Sequence, residues 1–277
     1  MKKINVGLIG FGNVGSAVVK ILKDKRALLR EKIGLDLCLK KICDKDISSK
    51  RIVAVDKSML TCDASLILND PQIDIVIELI GGIHPAKEYI LAALEKGKYV
   101  VTANKALLAE EGKELFSKAM ERGKSIYFEA SCGAGIPIIK SLREGLVANK
   151  FLSVFGIVNG TSNFVLSQMS SNNWTFEEAL KEAKRRGFAE KNPSLDIEGV
   201  DSAHKLILLT YLCFGRIVNL KDIFINTGIK YFNSYRILQG ITFSLLYYLV
   251  SAVGSIREGR IDSIKAVLQA HIWVIKN

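Results

Sequence analysis

Cysteine, histidine and proline are scarce in this chain of 277 residues, and each scarcity excludes something. Five cysteines (Cys38, Cys43, Cys62, Cys132 and Cys213) form no C-x-x-C pair and are too few for a disulfide framework. A reducing compartment, the cytoplasm, is therefore expected. Three histidines, His84, His204 and His271, stand too far apart for a zinc-ligand spacing. Four prolines and no low-complexity tract exclude a collagen-like or proline-rich scaffold. What the chain does have is 49% hydrophobic and 24% charged residues, the balance of a globular protein with a sizeable core.

The net charge of +11 invites an acidic partner. The basic residues are nevertheless spread over the whole length, and the densest cluster, Lys181 to Lys191, also holds Glu182 and Glu190. No aromatic residues alternate with them as a single-strand binder requires, so nucleic acid is not expected. Residues 237–256 are twenty without a charge, which is spanning length. Gln239, Gly240, Thr242, Ser244, Ser251 and Ser255 dilute them, and a buried helix and turn is the reading preferred over a membrane span. The apolar start at Ile4 runs into glycines with no cleavage site behind it, as a buried strand does and a signal peptide does not.

The first half alternates short apolar runs with helical spacing. Strands are expected at 4–9, 35–43, 74–80, 99–102 and 125–129, with helices after Ser16, over 85–96 and over 107–122. Strands separated by crossover helices make a parallel sheet covered on both faces, a doubly wound α/β (Rossmann-type) domain over residues 1–134. A second, α+β domain is expected over 135–277, with a helix at 136–147, a strand at 151–158, a charged helix at 175–186 and an apolar helix at 201–214.

Three motifs carry chemistry. Gly10-Phe11-Gly12-Asn13-Val14-Gly15 follows a strand and opens a helix, the context in which G-x-G-x-x-G binds a dinucleotide pyrophosphate. Asp44, past the second strand, suits ribose hydroxyls and hence NAD, although it lies 29 residues beyond Gly15 rather than about 20. Lys45, Lys50 and Arg51 suit a 2′-phosphate equally, so NAD and NADP both stand. Lys105, in Thr102-Ala103-Asn104-Lys105, falls at the ligand-binding edge of the sheet, where a solvated charge is an equal alternative. Within 183–205, Asp201 and Lys205 are one helical turn apart. That pair is either an ordinary salt bridge or a lysine held by carboxylates to exchange a proton with a reacting oxygen.

The block from Ala183 to Lys205 resembles the signature of homoserine dehydrogenases: A-x-x-x-G, a short stretch to Asn192-Pro193, then D-[LIVM]-x-G-x-D-x-x-x-K. The resemblance extends to the glycine motif, to 78–87, 101–106, 128–137 and 156–163, and covers residues 4 to about 228. It implies reversible NAD(P)H-dependent reduction of aspartate 4-semialdehyde to homoserine, in threonine and methionine biosynthesis, by a homodimer. By the same resemblance Lys205 protonates the aldehyde oxygen and Lys105 polarises it beside the cofactor. Glu190 and Asp201 bind the substrate ammonium, Asp196 orients the lysine, Gly160 and Thr161 line the pocket, and Gly187 touches the cofactor. A sodium ion is implied at Glu129 and the backbone of Cys132, Ala134 and Ile136. The alternative is a dinucleotide-binding remnant that kept the fold without turnover.

Three departures from the family pattern stand out. Phe188 replaces a frequent tyrosine, and Cys132 replaces a common valine. After about residue 228 the returning glycine-rich segment and final helix have no match, so a truncated or diverged tail without a regulatory domain is expected.

Overall fold

The computed structural model describes residues 1–225. The expectations for the tail after 228 and for 237–256 lie outside the described residues. Two compact units emerge. One comprises Met1–Ala148 and His204–Asp222, and the other Asn149–Ala203 with the chain from residue 223 onward.

In the first unit, apolar runs become strands wherever both faces of a sheet need covering. β1 (Lys2–Ile9), β2 (Leu35–Cys43), β3 (Leu60–Thr61), β4 (Ile75–Glu78), β5 (Tyr99–Thr102) and β6 (Ile126–Tyr127) form one sheet in the order β3-β2-β1-β4-β5-β6. Every pairing is parallel, and the order reverses direction between β1 and β4. The crossovers are helical: α1 (Asn13–Asp24) and α2 (Arg26–Ile33) after β1, the short α3 (Ser65–Leu68) after β3, α4 (Ala86–Glu95) after β4 and α5 (Lys105–Glu121) after β5. This is the doubly wound architecture read from the sequence.

Register decides where the site lies. Ile9 is opposite Cys43 on one side and Glu78 on the other, and Glu78 is opposite Thr102. The next residues along each strand, Gly10, Asp44, Leu79 and Ala103, therefore share the carboxyl edge, where open α/β sheets bind ligands. Underneath, Leu8, Phe11, Val19 and Ile42 form a closed apolar cluster. Burying each such side chain stabilises the fold by about 1.5–3 kcal/mol.

The amino edge holds a buried lysine. Lys98 is 3% exposed and its Nζ donates to the carbonyls of Asp70 (2.6 Å) and Ile73 (2.9 Å). Burial pulls its pKa below the usual lysine value, partly offset by Asp70 and Asp74.

The regular elements described in the second unit are helices. α7 (Gly160–Asn172) and α8 (Phe176–Arg185) pack through Val165, Met169, Phe176, Ala179 and Ala183. The single turn α9 (Ser194–Ile197) adds Ile197 to that core. Thr175 and Glu178 form a reciprocal capping box at the start of α8. Thr175→Ala should cost about 1 kcal/mol, read from the urea midpoint, and leave cofactor binding unaltered.

Two expectations need correction, and one helix had none. Residues 151–158 form no ladder among the described residues, and Leu152, Phe155 and Ile157 stand exposed. A run of apolar residues pairs as a strand only when a neighbour supplies the hydrogen bonds. The helix expected over 136–147 begins after Pro137, as α6 (Ile138–Lys140), and continues as a π-type turn over Ser141–Gly145. Helix α7 was unexpected, since Ser and Asn compete for the backbone and the segment shows no clear apolar stripe.

Candidate active site

The glycine loop is shaped by close approach. Gly10 has φ +103°, and a Cβ there would lie 2.6 Å from the carbonyl carbon of Leu79. A Cβ on Gly15 would lie 1.9 Å from the Gly10 oxygen, so α1 leaves the loop with no room for a side chain. Gly12 is the opposite: nothing lies within 4 Å of a Cβ built there. Gly12 is also the N-cap of α1 and offers no side chain to its first N–H groups. Open space before uncapped donors is what a pyrophosphate requires, and the loop fits a dinucleotide. Asn13 and Val14 are exposed beside it, whereas Phe11 is 2% exposed and belongs to the core.

Asp44 reaches back to this loop. Its Oδ2 accepts the Phe11 N–H, and its Oδ1 accepts the Asp46 N–H at 2.9 Å. Cys43 beside it is no nucleophile, because burial pushes its thiol up to about 11.

Across the switch point lies a network to which the sequence reading assigned no role. Glu78 is fully buried, yet both its oxygens are bonded. Oε1 accepts the Ile80 N–H at 2.8 Å and Oε2 accepts the Thr102 hydroxyl at 2.7 Å. The Thr102 oxygen accepts the Asn104 N–H, and the Asn104 amide donates to Gly82 O at 2.6 Å. Asn104 Oδ1 then caps α5 through the Leu107 N–H. The loops after β4 and β5 are thereby tied together, and Lys105 is fixed as the first residue of α5. A carboxylate ending an apolar strand was the signal.

Helix α10 (Val200–Phe214) carries Lys205, and its part from His204 onward, which belongs to the first unit, runs alongside α5. Phe116 stacks on Tyr211 with ring centroids 4.5 Å apart, and Glu110 lies 3.9 Å from His204. The order of these contacts shows that the two helices point the same way. Lys205, next to His204, and Lys105, just over a turn before Glu110, thus both lie toward the amino ends of neighbouring helices.

In the second unit, Asn159 gathers the acidic residues. It is 7% exposed, and its Nδ2 donates to Asp196 Oδ1 at 2.7 Å and Asp201 Oδ2 at 2.8 Å. Its Oδ1 caps α7 through the Ser162 N–H at 2.7 Å. Two carboxylates held by one amide concentrate negative charge, which favours a cationic ligand. Asp201 is buried and opens the helix that bears Lys205 one turn further on. Asn159→Ala should cost about 3 kcal/mol in urea denaturation, since it leaves two carboxylates without their shared donor. The sequence signal was its place in the 156–163 block, which resembles the family but gave Asn159 no role.

The remaining expected residues are dispersed. Thr161 is buried and its hydroxyl donates to Phe188 O at 2.6 Å, which holds the 188 loop onto α7. Gly187 ends α8 at φ +77°, and Gly160 and Glu190 are exposed. Phe188 stacks on Phe164 with centroids 4.6 Å apart, so the ring is used for packing. Glu129 accepts backbone N–H groups from Ile139 (3.0 Å) and Lys140 (2.8 Å) and so caps α6. Cys132 is buried, Ala134 and Ile136 are exposed, and the Ile136 carbonyl accepts the Ile138 N–H at 2.7 Å. No group of three or more His, Cys, Asp or Glu poised for a metal occurs among the described residues. Nor is any described helix long and apolar enough to cross a membrane.

Comparison with known proteins agrees with this architecture. Residues 10–129 match the family model "Homoserine dehydrogenase, NAD binding domain", and residues 137–267 match "Homoserine dehydrogenase". The homoserine dehydrogenase of Bacillus subtilis (strain 168) is 46% identical over 223 residues, which is 80% of this chain and 52% of that protein. The crystal structure of a homoserine dehydrogenase from Thiobacillus denitrificans superposes with a TM-score of 0.78 at 41% identity, covering 85% of this chain and 54% of the other. A hyperthermophilic archaeal homoserine dehydrogenase in complex with NADPH gives 0.63 at 27% identity, covering 78% and 71%. The chain spans about half the length of the curated relatives it matches. With its parallel nucleotide-type sheet and its paired family matches, the chain belongs to the homoserine dehydrogenase family.

Proposed function

We propose that this chain reduces aspartate 4-semialdehyde to homoserine, reversibly, with NADH or NADPH, as an oxidoreductase of threonine and methionine biosynthesis. The observation that carries the reading is the Asn159 clamp on Asp196 and Asp201, at the start of the helix that bears Lys205. When bound, a reduced nicotinamide would supply hydride chemistry at the aldehyde carbon. The chain's own residues supply the rest. Asp201 and Glu190 bind the substrate ammonium, and Asp196 orients Lys205. Gly160 and Thr161 border the substrate.

The Lys205 ammonium gives a proton to the carbonyl oxygen as that oxygen gains negative charge, and in the oxidative direction the neutral amine takes it back. Lys105, fixed at the amino end of α5, adds a second positive charge beside the developing alkoxide. Gly10 to Gly15 and Gly187 hold the dinucleotide, with Asp44 at the ribose. In this reading residues 1–134 are the dinucleotide-binding domain and 135–277 the substrate-binding and dimerisation domain. A homodimer in the cytoplasm completes the proposal, supported by the family and by five cysteines that are all free thiols.

Sodium enters the proposal as an element of structure. Glu129 with the carbonyls of Cys132, Ala134 and Ile136 is an oxygen-only donor set suited to a hard cation, and each Glu129 oxygen keeps a second lone pair beyond its backbone hydrogen bond. No chemical step depends on it.

The test is consumption of reduced dinucleotide, followed at 340 nm, with aspartate 4-semialdehyde as substrate. Turnover supports the proposal. Folded protein that binds a dinucleotide and raises its melting temperature without turnover identifies a non-catalytic remnant instead.

A further inference from the structure

NADH and NADPH differ by one phosphate on the 2′ oxygen of the adenosine ribose, and that ribose lies between the glycine loop and the end of the second strand in a dinucleotide-binding sheet. We infer that Asp44 makes this chain selective for NAD over NADP. The inference rests on the dinucleotide site proposed above.

The end of β2 is stitched to the loop at two points. The Gly10 N–H donates to Cys43 O at 2.8 Å, and the Phe11 N–H donates to the Asp44 carboxylate. The Asp44 carboxylate is therefore held in place against the loop by two backbone donors, from Phe11 and Asp46. An ionised carboxylate has about four acceptor positions, so two remain for ribose hydroxyls. The same charge repels a phosphate dianion.

The nearby cations do not reverse that sign. Arg51 is the one drawn inward, and its guanidinium is already shared. It lies 3.8 Å from Asp44 Oδ1 and 3.7 Å from Asp46 Oδ2, donates to Asp46 O at 2.7 Å, and sits 5.7 Å from the Phe11 ring centre. Asp46 is in turn kept ionised, well below the usual carboxylate range, by the N–H and hydroxyl groups of Ser48 and Ser49. One guanidinium between two carboxylates leaves a net negative charge. Lys45 and Lys50 are exposed, where salt screens them.

Titration of the purified full chain with NADH and with NADPH, each followed by nucleotide fluorescence, tests this. NADH should bind at least about tenfold more tightly. Asp44→Asn and Asp44→Ser should close or invert that ratio, because they remove the repelling charge and release Arg51 toward a phosphate. Adding Arg51→Gln to Asp44→Ser should then take back the gain for NADPH. Melting curves identify any variant that fails to fold, and the wild-type ratio alone is decisive if both do. Equal or tighter binding of NADPH by the wild type, or an unchanged ratio in a folded Asp44 variant, overturns the inference while the dinucleotide site stands. If folded wild-type protein binds neither nucleotide, the site itself falls and the inference with it.

Discussion

Lys205→Ala should lower kcat by about three orders of magnitude, the range of a lost general acid, and leave the dissociation constant for NADH within about twofold. The separation follows from position. Lys205 belongs to the helix opened by Asp201, whereas the glycine loop follows β1. Lys205 is only partly buried, so truncation removes little packing. Lys205→Arg sharpens the test. It keeps the positive charge, but a guanidinium does not release its proton, so kcat should stay nearly as low as in the alanine variant. Steady-state kinetics with both variants, alongside nucleotide titration, reads the result. Retention of more than a tenth of wild-type turnover by Lys205→Ala would remove this lysine from the chemistry.

The second large effect is on stability. Gly15→Ala places a methyl 1.9 Å from the Gly10 oxygen, and Gly10 cannot retreat because Leu79 already confines it. Backbone must move at the junction of β1, α1 and β4, at an expected cost of about 3 kcal/mol or more. In a domain of this size that lowers the melting temperature by about 6–12 °C. Gly12→Ala is the contrasting case. Its methyl meets nothing within 4 Å, so stability should change by less than about 1 kcal/mol. Nucleotide binding should nevertheless fall, because the methyl enters the space reserved for the pyrophosphate. Calorimetry and nucleotide titration on the pair separate a glycine needed by the fold from one needed by the ligand.

Much of the first unit was legible because each local signal agreed with the global one. Tyr99-Val-Val-Thr102 is an apolar run stopped by polar residues, and it is β5 without a residue's difference. Gly97 and Gly123 ended helices where expected, with φ of +72° and +59°. The second unit resisted because its signals are relational. Residues 151–158 have the apolar content of a strand, but apolar content does not supply a neighbour. The sequence of α7, with its serines and asparagines, hides Val165 and Met169 as the only two deeply buried apolar positions after Thr161. The candidate site divides in the same way. Lys205, Asp201 and the glycine loop were visible as motifs. Glu78 and Asn159 fell inside family-like blocks but were given no role, because each acts through partners distant in sequence: Thr102 for one, Asp196 and Asp201 for the other. A lone polar residue announces nothing until the chain brings it an acceptor.

The ammonium beneath the sheet supplies a clock for local opening. Lys98 is 3% exposed with two carbonyls bonded to it, while most lysines of the chain face solvent. An amine-acylating reagent, read peptide by peptide in a mass spectrometer, will therefore mark those others early and Lys98 last. The lag before position 98 is tagged measures how often that rim of the domain comes apart.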